Sequence, residues 1–317
     1  VEFITHSGPL TLAILALTPL MAIAVAAYVG SLGRRRWRGP VSASWLGWVG
    51  LAACGGLGTE LGFWDLQAAL GHASAVQVTG LRAAGSGVAL YGAVVTLWCV
   101  AFVALVGAVV AAGSAFGAPG PHGRQDGLSV ALAAGGGLAG ALIAALIAAG
   151  LVPSIREVPG GVVVAGGIAA VAPLPAILAA SRVSDADRDA ARAVALRVFA
   201  AMSGALAVGC AAEATALGSV ARGLVGFAAS SPEVGQATIA GAVNHFSTVL
   251  PLGAAFALPS LGAAAGALPH TLRLDRWSVL DAGLGFGLAG VGIGASAWWA
   301  WRAWSALYAT YWGVTGS

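Results

Sequence analysis

The chain has 317 residues, a mean hydropathy of +0.89, 59% hydrophobic residues and 9% charged residues. Soluble domains carry roughly 25% charged residues, so this composition cannot cover a water-facing surface and describes a polytopic integral membrane protein. The net charge of +3 rests on arginine alone, because the chain has no lysine, and so small an excess gives no reason to expect nucleic acid.

The 48 glycines, set among abundant alanine, suit helices packed through small residues. The apolar runs are far too long for barrel strands and show no strand-type alternation, which leaves the α-helix as the spanning structure. Cys54, Cys99 and Cys210 lie inside apolar runs without metal-ligand spacing and read as small buried hydrophobes.

Residues 8–32 form the first expected span, followed at once by Arg34, Arg35, Arg36 and Arg38. A cleaved signal peptide carries its positive charge before the apolar run, so this order predicts an anchor with its N-terminus outside. The second span covers about 43–68, with Trp45 and Trp48 at interface depth, and the link GHASAVQ leads to a third at about 80–113. The Gly- and Pro-rich stretch GSAFGAPGPHGRQDG is a loop. Spans at about 128–152 and 161–181 follow, and then SRVSDADRDAARAVALR, a charged amphipathic stretch expected to be a short cytoplasmic helix entering the sixth span. The sixth and seventh spans, 198–228 and 237–262, form a hairpin across the polar link SSPEVGQ. After LPHTLRLDRWS an eighth span begins near Asp281 and ends in Trp298, Trp299, Trp301, Trp304, Tyr308, Tyr311 and Trp312, read as an interfacial belt in which Arg302 reaches the interface.

With eight spans and the N-terminus outside, 11 of the 15 arginines fall in cytoplasmic segments, at 34–38, 124, 182–197 and 273–276. That bias is what the positive-inside rule requires. A shift of about 160 residues also aligns Leu57-Gly58-Thr59 with Leu217-Gly218-Ser219 and, with a one-residue slip, Gln77-Val78-Thr79 with Gln236-Ala237-Thr238. Each unit is then three spans, and an additional crossing is needed to keep the copies parallel. The expected fold is an all-α membrane bundle of about eight transmembrane helices in a 3+1+3+1 plan. Its parts are a first three-span unit at 1–113, a loop and connecting helix at 114–160, a second unit at 161–268 and a terminal helix at 269–317.

Three stretches resemble the MotA/TolQ/ExbB proton-channel family: SGPLTLAILALTPLMAIAVAAYVGSLGRRR, CGGLGTELGFWDLQAAL and SPEVGQATIAGAVNHFSTVLPLGAAFALPSL. They are similar to its outside-to-inside first helix, its Gly-Thr-containing second helix and its last pore helix. The resemblance implies a helical ring around one or two partner helices, with protons passing to an acidic residue on a single-span partner. It implies pore-lining hydroxyls at Thr59 and Ser219, with Thr248 on the facing helix. The chain departs from the pattern where His245 stands near the family's Glu and where Val249 and Leu250 stand near its paired threonines. The family's large cytoplasmic helical extension has no counterpart.

Intramembrane polar residues are expensive and are the natural site candidates. Glu60 and Glu213 each lie about fifteen residues into their helices, near mid-bilayer, and read either as proton carriers or as hydrogen-bonded packing residues. Asn244 and Thr248, four apart, share a helix face beside His245, which reads as a polar relay or packing residue rather than a metal or haem ligand. Arg222 is expected at the depth of His245, meeting a carboxylate from another segment or another chain. No nucleophile–base set or metal-ligand cluster appears, so neither an enzyme nor a cofactor is expected. The expected role is a multi-pass subunit of a bacterial inner membrane that conducts or scaffolds proton flow beside a partner helix, in one or several copies. The alternative is a non-conducting structural subunit packed around a larger membrane complex.

Overall fold

The computed structural model describes residues 9–33, 58–116, 188–230, 234–246, 249, 298–299 and 301–310, and among them all regular structure is helical. The elements are α1 (Pro9–Gly33), α2 (58–70), α3 (Ala75–Phe116), α4 (Arg188–Ala229), α5 (234–246) and α6 (298–299 and 301–310). The expected spans at 128–152 and 161–181 lie outside the described residues, as does the start of the eighth. Among the described residues two helices, Gln77–Ala111 and Ser203–Ala229, are long and apolar enough to cross a membrane.

α1 opens on Pro9, whose fixed φ and missing N–H suit the first helical position. Pro19 sits inside the helix, and one residue before it the Thr18 hydroxyl donates to the Ile14 carbonyl at 2.7 Å. Ile14, Thr18, Ala22 and Val25 recur at helical spacing and are buried, whereas Leu12, Leu17, Leu20 and Ile23 face outward. Both faces are therefore apolar. α3 repeats this pattern, with Leu81, Val88, Trp98, Phe102, Leu105 and Val109 exposed along one stripe and Ala83, Leu90, Val94, Leu97 and Val103 buried on the other. Thr18 lies within hydrogen-bond reach of the Cys99 thiol, which ties α1 to α3.

The links between helices are shorter than expected. Backbone bonds from Gly71 to Gln67, His72 to Ala69 and Ala73 to Leu70 close α2, and the Ser74 carbonyl accepts from Gln77 at 2.9 Å to start α3. Ser74 thus stands at the N-cap, a position its residue type favours. From Arg188 on, the charged stretch enters the sixth span as expected, without a break, in one helix that ends at Ala229. At ~1.5 Å per residue this helix and α3 each run ~60 Å, about twice the hydrocarbon thickness of a bilayer.

Close approach of small residues sets the packing. In the first hairpin a Cβ on Gly62 would stand 3.1 Å from Ala89, and Gly85 lies against Leu66, so α2 and α3 run antiparallel. In the second, a Cβ added to Gly223 would stand 2.6 Å from Ala242 and one added to Gly226 3.3 Å from Thr238, so α4 and α5 are antiparallel too. The hairpins pair in different registers. Leu66 and Gly226 correspond under the 160-residue shift, but their partners are Gly85 and Thr238, so Thr79 does not take the place of Thr238. Of the contacts among α1, α3 and α4, the most extensive is between α3 and α4. Its tightest point is Gly87, where an added Cβ would come within 2.6 Å of the Ala221 carbonyl and 2.8 Å of Val225.

Gly87→Leu should therefore force the two longest helices apart. The expected loss is about 1–3 kcal/mol or more, read as a lower midpoint of thermal unfolding in detergent. Gly113→Leu, where nothing lies within 4 Å of the new Cβ, should leave the midpoint unchanged.

Candidate functional site

Two groups of polar side chains stand out, one joining α2 to α6 and one joining α4 to α5. In α2, Thr59, Phe63 and Leu66 turn inward, and Thr59 is fully buried. Glu60, next to Thr59, lies at the edge of that face. In α6, Trp298 and Arg302 are one turn apart, so both reach the same point on a neighbouring helix. Trp298 Nε1 donates to Glu60 Oε1 at 2.8 Å, and Arg302 Nη2 donates to Glu60 Oε2 at 2.6 Å. Both carboxylate oxygens are thereby engaged.

The guanidinium is also held by aromatic rings. Its central carbon lies 4.9 Å from the Phe63 centroid and 5.1 Å from the Trp298 centroid, within the range of cation–π attraction. The side chains of Arg302 and Glu60 keep 26% and 31% of their exposure, while Arg302 Nε is buried with no acceptor among the described residues. Arg302 therefore does not simply reach for the interface, as its position in the aromatic run suggests. The aromatic run itself divides: Trp299 is buried, Trp298 binds Glu60, and Trp304 stacks on Phe246 of α5 with centroids 6.2 Å apart. Trp301 and Tyr308 remain outward.

The second group spans the tight α4–α5 contact. Arg222 is exposed and its Nε donates to the Gly218 carbonyl at 3.2 Å. It lies close enough to His245 for the two to interact electrostatically. Asn244 and His245 are half-buried on α5, and Thr248 lies outside the described residues.

The remaining candidates are on α4. Glu213 is only 5% exposed and stands one turn from Cys210, with which it interacts electrostatically. Ser203 is fully buried on the same helix. The Ser219 hydroxyl donates to Ala216 at 2.7 Å and that of Thr215 to Ala211 at 2.8 Å, so each spends its proton on its own helix. Thr96 and Thr310 do the same on α3 and α6. Among the described residues no three His, Cys, Asp or Glu side chains converge as a metal site.

Sequence reasoning singled out Glu60 but missed Arg302, Trp298 and Phe63 as its surroundings. The spacing Trp298-x3-Arg302 is legible as a shared face, but nothing local points that face at α2. No family model, no curated protein and no solved structure matches this chain.

Removing one member of the pair strands the other in apolar surroundings. Arg302→Met should cost about 1.5–3 kcal/mol, the worth of a hydrogen bond to a charged group. Arg302→Met combined with Glu60→Leu should recover part of that loss, because an unpaired charge is worse than no charge. Thermal unfolding of the single and double variants in the same detergent measures both terms.

Proposed function

We propose that the chain is a multi-pass subunit of a bacterial inner-membrane complex, with its N-terminus outside, whose described polar groups bind helices together rather than conduct ions. The observation that supports this is Glu60, the candidate proton carrier of α2, held through both oxygens by Trp298 and Arg302. A carboxylate that must break an ion pair before accepting a proton is a poor relay and a good clasp. The apolar outward faces of α1 and α3 suit a lipid environment. The back-bonded hydroxyls of Ser219 and Thr215 point the same way, since neither proton is turned toward a neighbour across the bundle.

A second reading rests on Glu213. An acid buried to 5% exposure in a helix packed extensively against α3 is a costly residue. Together with the resemblance to MotA/TolQ/ExbB proteins it favours proton transfer through α4, beside an acidic single-span partner.

Proton flux separates the two. The protein is purified with whatever subunits accompany it and reconstituted into liposomes. A pH-sensitive dye then follows dissipation of an imposed proton gradient. Flux no greater than in protein-free liposomes, unchanged by Glu213→Gln, is the expected outcome. A flux that falls at least tenfold in Glu213→Gln would replace the scaffold with the conducting reading.

A further inference from the structure

Charge inside a bilayer separates the faces that belong to lipid from those that belong to protein. The outward residues of α1 and α3, such as Leu20 and Val109, are apolar and suit acyl chains. The Glu60–Arg302 pair is different, because both side chains are charged and both remain only half-buried.

The depth of the pair follows from the first hairpin. Gly62 lies against Ala89 with α2 and α3 antiparallel, so Glu60, two residues before Gly62, is level with about Tyr91. The apolar run of α3 extends from Gln77 to Ala111, which puts that level ~20 Å from one end of the run and ~30 Å from the other at ~1.5 Å per residue. A hydrocarbon core of ~30 Å crossed by this run therefore contains the pair. Charged side chains at such depth face protein or a water-filled space and not lipid.

The chemistry of the exposed side specifies what covers it. The two charges already cancel, so a further charge brought by a neighbour would stand uncompensated in hydrocarbon. Donors, by contrast, are in excess. A guanidinium has five N–H groups, and among the described residues only one of those on Arg302, at Nη2, has an acceptor. Trp64, one turn from Glu60, and Trp298 and Trp301, beside Arg302, are all exposed. Tryptophan and arginine are the residue types that dominate binding energy in protein interfaces.

We propose that the Glu60–Arg302 pair, rimmed by Trp64, Trp298 and Trp301, is the contact site for a transmembrane helix of a different subunit. That helix presents the amide oxygen or hydroxyl of an Asn, Gln, Ser or Thr to the spare guanidinium N–H groups. The inference rests on the reading of the chain as a subunit and gives that subunit its contact face. It differs from the partner implied by the family resemblance, whose polar group is an acid.

A photo-crosslinking amino acid replacing Trp64, Trp301, Leu20 or Val109, one at a time in the cells that make the protein, tests this. Irradiation at positions 64 and 301 should join the chain to a transmembrane helix of a different polypeptide. Peptide mass spectrometry should find an Asn, Gln, Ser or Thr within one turn of the joined residue. Positions 20 and 109 should give no protein adduct. The adduct at position 64 should fall at least tenfold in a Glu60→Leu, Arg302→Met double variant and several-fold in Arg302→Lys, which keeps the charge with fewer donors. Alanine at the partner's acceptor, which leaves this chain intact, should lower it at least tenfold as well. An adduct undiminished by the partner's alanine would overturn the site. So would a joined helix whose nearest polar residue is charged, or equal protein adducts at positions 20 and 109. Adducts to a second copy of this chain, or to residues 117–187 or 250–297 of the same chain, would assign the face to those occupants and overturn the proposal. A chain that migrates alone, at the mass of one copy, on native electrophoresis in mild detergent would undo the subunit reading itself. A larger assembly with no adduct at positions 64 and 301 undoes only this face.

Discussion

A carboxylate and a guanidinium placed among apolar helices must find each other, and the Glu60–Arg302 pair is where that requirement shapes the described structure. The two residues are 242 positions apart, so their contact belongs to the tertiary fold and to no local element. Through it α6 is fastened to α2, and through the Phe246–Trp304 stack the same helix reaches α5. One helix late in the chain thus bridges two hairpins that are separate in sequence. The rings of Phe63 and Trp298 shield the guanidinium from its apolar surroundings. They are as much part of the clasp as the charges are.

The rest of the packing follows from the lack of contrast between inside and outside. When outward faces are as apolar as inward ones, hydrophobicity cannot select which face turns in, and helix association depends on close van der Waals approach and on polar contacts. Glycine supplies the approach. Gly87 lets α3 touch the backbone of α4 at Ala221, and Gly223 lets α4 touch α5 at Ala242. The hydroxyls are handled differently: Thr18, Thr96, Thr215 and Thr310 each bond the carbonyl one turn back. A hydroxyl satisfied this way packs as a small, nearly apolar group and asks nothing of its neighbours.

These two habits bear on function. A proton path requires polar groups that exchange partners across helices, whereas the back-bonded hydroxyls are committed within their own helices and Glu60 is committed to α6. Glu213 is different, an acid buried on α4 one turn from Cys210.

The amino-acid sequence determined the class of structure and much of its local detail. A chain with 9% charged residues and long apolar runs has no choice but helix, and all the regular structure among the described residues is helical. Two of those helices have the length and apolarity to cross a membrane. The α4–α5 hairpin was legible because SSPEVGQ interrupts two apolar runs, and the proximity of Arg222 to His245 follows from counting residues on either side of it. Glu60 was legible as a costly residue because charge in an apolar run is conspicuous. Only the tertiary structure decided what Glu60 touches. Trp298 and Arg302 look like ordinary members of an aromatic belt, since pairing across two distant helices leaves no periodic trace in either. Hairpin register was likewise beyond the sequence. In Ala- and Gly-rich helices one alignment of small residues scores as well as the next, and the pairing of Gly85 with Leu66 and of Thr238 with Gly226 is set by which backbones fit together in space.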